Sequence, residues 1–193
     1  MESIMTKIAI VYHSGFGHTK ILAEAVADGA ATVAGSSVHL IAVDEVEAKA
    51  DILDAADAII FGSPTYMGSA SAKFKEFMEW SSKIWYVRGW ADKLAAGFTA
   101  SASQSGDKLN VLIQMAVFAA QHGMVWVGAN LLPGNNTSKG SPEDLNRLGS
   151  YLGAMAQNNA DQGPEGVTTA DHQTARHLGQ RVAEAAVRWS AGK

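Results

Sequence analysis

The chain has 193 residues, nearly half of them hydrophobic, and a formal net charge of −4. That length and apolar content suit a single domain with a sizeable core, and the mild charge offers neither a basic footprint for nucleic acid nor a strongly acidic docking face. The absence of cysteine excludes disulfides, thiolate metal sites and thiol nucleophiles, no apolar run is long enough for a membrane span, and the opening MESIMTK lacks the apolar core of a secretion signal, so a cytoplasmic protein is expected.

Lys7–Tyr12 is short and almost continuously apolar, which predicts a strand covered on both faces. Residues 17–33 predict a helix with Ile21, Leu22, Ala25, Val26, Ala30 and Val33 in one stripe. Ser37–Val43 is a second strand, and DEVEAKADILDAA a short helix or turn. Asp57–Gly62 is a third strand that ends in the loop SPTYMGS, followed by a helix from Ala70 to about Tyr86. Lys93–Ser101 is a fourth strand, a loop from Ser101 leads into a further helix, and MVWVG is a fifth strand. Thr169 to about Ser190 closes the chain as a helix with Leu178, Val182, Ala186 and Trp189 on one side.

Alternating strands and helices imply a parallel five-stranded sheet with helices on both faces, a three-layer α/β sandwich. Right-handed crossovers place the C-terminal ends of all strands on one edge, where ligands bind in such folds. One domain is expected over 1–193, with an Asn-, Gly- and Ser-rich excursion at about 130–168. An excursion of that length is either functional or a surface detour, and a partly ordered loop beside the ligand edge is expected.

Three loops leave that edge. Ser14, Gly15, Phe16, Gly17, His18 and Thr19 join a buried strand to a helix start. Unpaired amides and the helix dipole there suit a phosphate, with Ser14 and Thr19 adding hydroxyl donors; the alternative is that both hydroxyls merely cap the helix. The loop is neither a Walker A sequence nor the dinucleotide G-x-G-x-x-G. Pro64, Thr65, Tyr66, Met67 and Gly68 offer packing surfaces for a flat ring, or else form an ordinary turn with Ser69 as helix cap. Ser101, Ala102, Ser103, Gln104, Ser105 and Gly106 have small side chains that let amides approach a ring edge, or else form a turn capped by Ser105.

Together IVYHSGFGHTKILAEAVADGA, IIFGSPTYMGS, KLAAGFTASASQSGDKLNVL and QHGMVWVG resemble the flavodoxin-like WrbA family of FMN-binding NAD(P)H:quinone oxidoreductases. The resemblance runs from about Thr6 to Gly128 and implies a flavodoxin-like sandwich that binds FMN, with the phosphate on Ser14–Thr19 and the flavin ring between Pro64–Gly68 and Ser101–Gly106. It matches a family histidine near the flavin to His122, and a family tryptophan at the substrate pocket to Trp85, with Phe16 as a second pocket wall. Read from the residues alone, His122 also suits a helix C-terminus, and Trp85 also continues the apolar stripe of Phe74 and Met78. Where many relatives carry a Thr-Gly-Gly run the chain has SASQSGD, and where many have arginine after the PT dipeptide it has Tyr66. The long insertion that relatives often carry after the second strand is missing.

The resemblance further implies NADH or NADPH as electron donor, a quinone or other small acceptor, no nucleic acid or membrane partner, and a homo-oligomer, dimer or tetramer. The flavin carries the reaction and no side chain acts as nucleophile. The competing readings are an electron-transfer flavodoxin serving protein partners and a reductase of free FMN. A phospho-acceptor receiver domain lacks its acidic residues, since His13-Ser14 and Gly62-Ser63 stand there, and no G-x-S-x-G elbow supports a serine hydrolase.

Overall fold

The computed structural model describes residues 5–192; Met1–Ile4, part of the N-terminal stretch read above, and Lys193 lie outside the described residues. In chain order the elements are β1 (Thr6–Tyr12), α1 (His18–Ala31), β2 (Ser36–Ala42), a short 3-10 turn at Val43–Glu45, α2 (Ala50–Ala55), β3 (Ala58–Tyr66), β4 (Ser69–Ala70), α3 (Ala72–Trp80), α4 (Ser82–Tyr86), β5 (Leu94–Ser101), α5 (Lys108–Gln121), β6 (Val125–Trp126), β7 (Ala154–Gln157), a second 3-10 turn at Pro164–Gly166, and α6 (Thr169–Ser190).

The sheet order is β2-β1-β3-β5, with β6 and β7 sharing the outer side of β5. All these ladders are parallel, and β4 is the antiparallel exception, folded back on β3. Strand periodicity divides the core. Ile8 and Ile10 of β1 face α1 and α6 with Leu22, Val26, Leu178 and Val182. Ala9 and Val11 face the opposite layer with Leu53, Phe74, Phe77, Trp90 and Met115. On the first face α1 and α6 approach through two glycines. A Cβ on Gly29 would run into the carbonyl of Arg176, and one on Gly179 into the carbonyl of Val26.

The three-layer architecture and the bounds of α6 match the sequence expectation, and three details differ. First, the third strand runs through Pro64, Thr65 and Tyr66, because Ser63 and Pro64 keep pairing with Thr99 and Ala100. Half of the expected second loop is therefore strand and hairpin, and the cap of the next helix is Ser71, whose Oγ accepts from the Phe74 amide at 3.2 Å, in place of Ser69. Second, the helix expected over 70–86 breaks at Ser81, whose hydroxyl donates to the Met78 carbonyl at 2.8 Å and competes with the backbone ladder.

Third, the fifth strand is split. Val125 and Trp126 pair with Leu94 and Ala95, the chain then leaves the sheet, and Ala154–Gln157 returns to pair with Phe98–Ser101. The excursion is tied down where it begins and ends. Trp126 Nε1 donates to the Leu152 carbonyl at 2.9 Å. Arg147 forms a bidentate pair with Asp171 of α6 at 2.8 and 2.7 Å, both side chains being largely buried. The expected excursion at 130–168 thus contains a core strand, β7.

Candidate functional site

The strand C-termini Tyr12, Tyr66, Ser101 and Gln157 meet at one edge, and a cleft of about 320 Å³ opens between them. The first loop forms its floor. Ser14 Oγ accepts from the amides of Gly17 and Lys20 at 3.1 and 3.2 Å, so it stabilises the start of α1. Gly17 takes φ +93°, a conformation that favours glycine. Among the described residues the amides of Gly15, Phe16, His18 and Thr19 meet no acceptor within the chain. Thr19 is buried, lines the cleft, and its hydroxyl likewise has no partner among the described residues. Four open amides at the positive end of a helix form an anion cradle.

The second loop contributes Pro64, Thr65 and Tyr66. Thr65 and Thr99 share a hydroxyl hydrogen bond at 2.8 Å. The Tyr66 ring stands edge-on to Phe16 at 6.4 Å, and its hydroxyl lies over Gly15, where a Cβ would collide with it. Burial raises the Tyr66 pKa above its ordinary value. The hairpin is fixed from behind by α5: Asn110 Nδ2 donates to the Gly68 carbonyl at 2.7 Å, and Gln114 Oε1 accepts from Ser69 Oγ at 3.1 Å. Met67 and Gly68 do not line the cleft, and Met67 is fully exposed to solvent.

Of the third loop, Ser101 and Ala102 line the cleft. Ser103 and Gly106 lie outside it, while Gln104 and Ser105 turn to a separate hollow beside Leu109 and Tyr151. The loop is held by Lys108, the first residue of α5, whose side chain is almost completely buried. Its Nζ donates to Ser101 Oγ (2.7 Å) and to the carbonyls of Ser103 and Gln104 (2.9 Å each). Burial pushes the Lys108 pKa down to about 8, with Asp171 opposing and Arg147 adding to the shift.

A fourth wall comes from the segment after β7, with Asn158, Ala160, Gln162 and Gly163. His18 Nε2 donates to the Gln162 carbonyl at 3.0 Å, and Pro164 packs where a Cβ on Gly17 would stand. Asn158 is 6 % exposed and its Oδ1 has no partner among the described residues. The sequence places the excursion beside the ligand edge but singles out none of these residues. Their signal was the alternating AMAQ run closed by Asn158 and Asn159, too short to stand out as a strand.

Two further expected site residues, His122 and Trp85, lie at another hollow altogether. α5 runs antiparallel to the strands, so its end delivers His122 to the opposite edge of the sheet. There His122 is buried against Trp90 (ring centroids 4.6 Å) and Phe118 (4.8 Å), and its Nε2 meets Ser81 Oγ at 2.9 Å. Burial, and then the Arg88 charge, push its pKa down to about 4. Trp85 is half exposed on α4 and shares a small hollow with His122, remote from the cleft within this chain. Phe16 lines the cleft and is 75 % exposed.

A family model described as NADPH-dependent FMN reductase matches residues 34–137, more than half of the chain. Flavodoxin FldP of Pseudomonas aeruginosa (strain UCBPP-PA14) is 43% identical over 183 residues, covering 93% of this chain and 96% of that protein. An NAD(P)H dehydrogenase (quinone) of Archaeoglobus fulgidus is 35% identical, with coverage of 94% and 98%. The crystal structure of a WrbA-like flavodoxin from Agrobacterium tumefaciens superposes with a TM-score of 0.73 at 41% identity, covering 95% of this chain and 98% of that one. With its parallel sheet and its cleft at the strand C-termini, the chain belongs to the WrbA-like family of FMN-dependent NAD(P)H oxidoreductases.

Proposed function

We propose that this chain passes electrons from NAD(P)H to a quinone-type small acceptor, with FMN seated in the cleft. The residues fit the cofactor. Four open amides and the hydroxyls of Ser14 and Thr19 suit its phosphate. The orphaned Asn158 Oδ1 suits a hydroxyl or N–H donor of the same molecule. Bound there, FMN would supply hydride acceptance from the nicotinamide and two-electron delivery to the acceptor. The protein holds the phosphate, shields one side of the site with the Asn158–Gly163 segment, and supplies polar groups on the Ser101–Ala102 side.

The observation that carries the quinone reading is the rim. Phe16 and Tyr66 line the cleft in edge-on contact and both are exposed, and Met67, the next residue in the chain, is fully exposed. These surfaces admit a flat apolar acceptor by stacking and sulfur contact. A homo-oligomer belongs to the same reading, since α5 leaves Leu109, Ile113 and Val117 exposed at helical spacing. The 43% identical relative named flavodoxin favours a second reading, a carrier that passes electrons to protein partners. Stopped-flow mixing of the FMN-loaded protein with NADPH or NADH, then benzoquinone, separates the two. Fast bleaching followed by fast reoxidation supports the reductase; bleaching no faster than that of free FMN leaves the carrier.

A further inference from the structure

We propose that Lys108 sets the reduction potential of FMN in the cleft: its ammonium, one hydrogen bond behind the wall, favours the reduced, more negatively charged cofactor over the oxidised one. The inference rests on the FMN reading of the cleft.

The position is specific. Ser101 lines the cleft, and its Oγ accepts from Lys108 Nζ at 2.7 Å. Lys108 is 1 % exposed, so water screens its charge poorly. All three of its acceptors are neutral oxygens: one hydroxyl and two carbonyls. The charged groups acting on it are Asp171 from α6 and Arg147 from the excursion. Those two are bound to each other through both carboxylate oxygens, which leaves Lys108 without a carboxylate of its own. Lysine at the first position of a helix also faces the wrong end of the helix dipole. Helix stability therefore does not explain its presence. A buried cation with no carboxylate hydrogen-bonded to it, behind the wall of a cofactor cleft, stabilises negative charge that appears in that cleft.

A second consequence follows from its hydrogen bonds. The Ser103 and Gln104 carbonyls point at Nζ, so in planar trans peptides the amides of Gln104 and Ser105 point away from it. Neither amide meets an acceptor among the described residues. Lys108 is thus a positioning residue for the loop as well as a source of field.

The test compares wild type, Lys108→Met and Lys108→Arg, each loaded with FMN or with riboflavin. Oxidised-flavin affinity is read by fluorescence quenching and the midpoint potential by dye equilibration. The expected result for Lys108→Met is weaker binding of oxidised FMN and riboflavin alike, from the loosened loop, and on top of it an about tenfold loss in preference for the reduced form, which is about 30 mV more negative for a two-electron couple. Lys108→Arg should stay close to wild type. Wild type alone provides a further reading if the Met variant does not fold. Its potential should fall more steeply with pH above about 8, because reduction draws a proton onto Lys108. An unchanged potential in Lys108→Met, or no steepening in wild type, overturns the inference. Weaker FMN binding with riboflavin and the potential unaffected also overturns it, since the ammonium would then serve the phosphate. Failure of wild type to bind any flavin removes the cleft reading itself, a different result from any of these.

Discussion

His18, the first residue of α1, donates from Nε2 to the carbonyl of Gln162, 3.0 Å away and 144 residues later in the chain. This bond straps the segment after β7 across the anion cradle, and Pro164 packed on Gly17 holds the same contact from the other side. A single exposed hydrogen bond contributes about 1 kcal/mol. Replacing His18 by Ala should weaken FMN binding roughly fivefold and speed proteolysis near Asn158–Gly163, with little change in melting temperature. Limited proteolysis with and without FMN checks both parts.

Ser14 and Thr19 divide two tasks. Ser14 already accepts from two amides of the helix start, so its loss should cost about 1 kcal/mol of stability even without a ligand. The Thr19 hydroxyl has no partner among the described residues and should affect the ligand alone. Charge-assisted bonds to phosphate are worth about 1.5–3 kcal/mol each. The double change to Ala should therefore weaken FMN at least about tenfold and riboflavin little. Calorimetric titration with both flavins decides, and equal weakening of both would make the loop purely structural.

Much of this architecture is legible in the sequence because single elements carry redundant signals. Thr168 caps α6 by accepting from the Asp171 amide, and Leu178, Val182 and Ala186 then repeat at helical spacing, so its bounds follow directly. β1 is readable because Ile8–Val11 are all apolar and enter two different core layers alternately. β7 is not, since four residues between a loop and an Asn pair carry little pattern, and its place is fixed by pairing with a strand more than fifty residues earlier. The same long-range dependence hides Asn158. Lys108 was illegible for a related reason: a lysine at a helix start reads as a solvated cap, and only the fold shows it buried against its own loop. His122 is the converse case: resemblance transfers a residue's name, and the fold then sets the edge of the sheet on which it lands within this chain.

His122 should control acid stability. The Ser81 hydroxyl proton is committed to the Met78 carbonyl, so Nε2 carries the imidazole hydrogen and Nδ1 is bare and unpaired. The ring is neutral in the fold. Its pKa is lowered from 6.5 to about 4, so as pH falls the unfolded chain takes up the proton first. Its contribution is complete above pH 6.5 and is lost progressively towards pH 4, amounting to roughly 3 kcal/mol. His122→Gln, which cannot titrate, should lose less stability than wild type between pH 7 and 4.5. Urea unfolding of both proteins at the two pH values measures the difference, and parallel losses would remove His122 as the cause.

Asn158 separates stability from binding with opposite signs. Its side chain is 6 % exposed, lines the cleft, and carries a buried Oδ1 without a partner among the described residues. An unpaired buried polar atom costs about 1–3 kcal/mol, whereas a similar-sized apolar group at the same place costs nothing of that kind. Its backbone contribution, the amide bond to the Ser101 carbonyl at 3.3 Å, survives substitution. Asn158→Leu should therefore raise the melting temperature of the flavin-free protein. Bound FMN would satisfy the same oxygen, so the variant should bind FMN about tenfold more weakly, and riboflavin by the same factor if the contact is to a part the two share. Thermal melts of the flavin-free proteins and titrations with both flavins read the two effects independently. A variant that loses stability without flavin, or keeps full affinity with it, would mean that Asn158 is a packing residue whose oxygen does not serve the ligand.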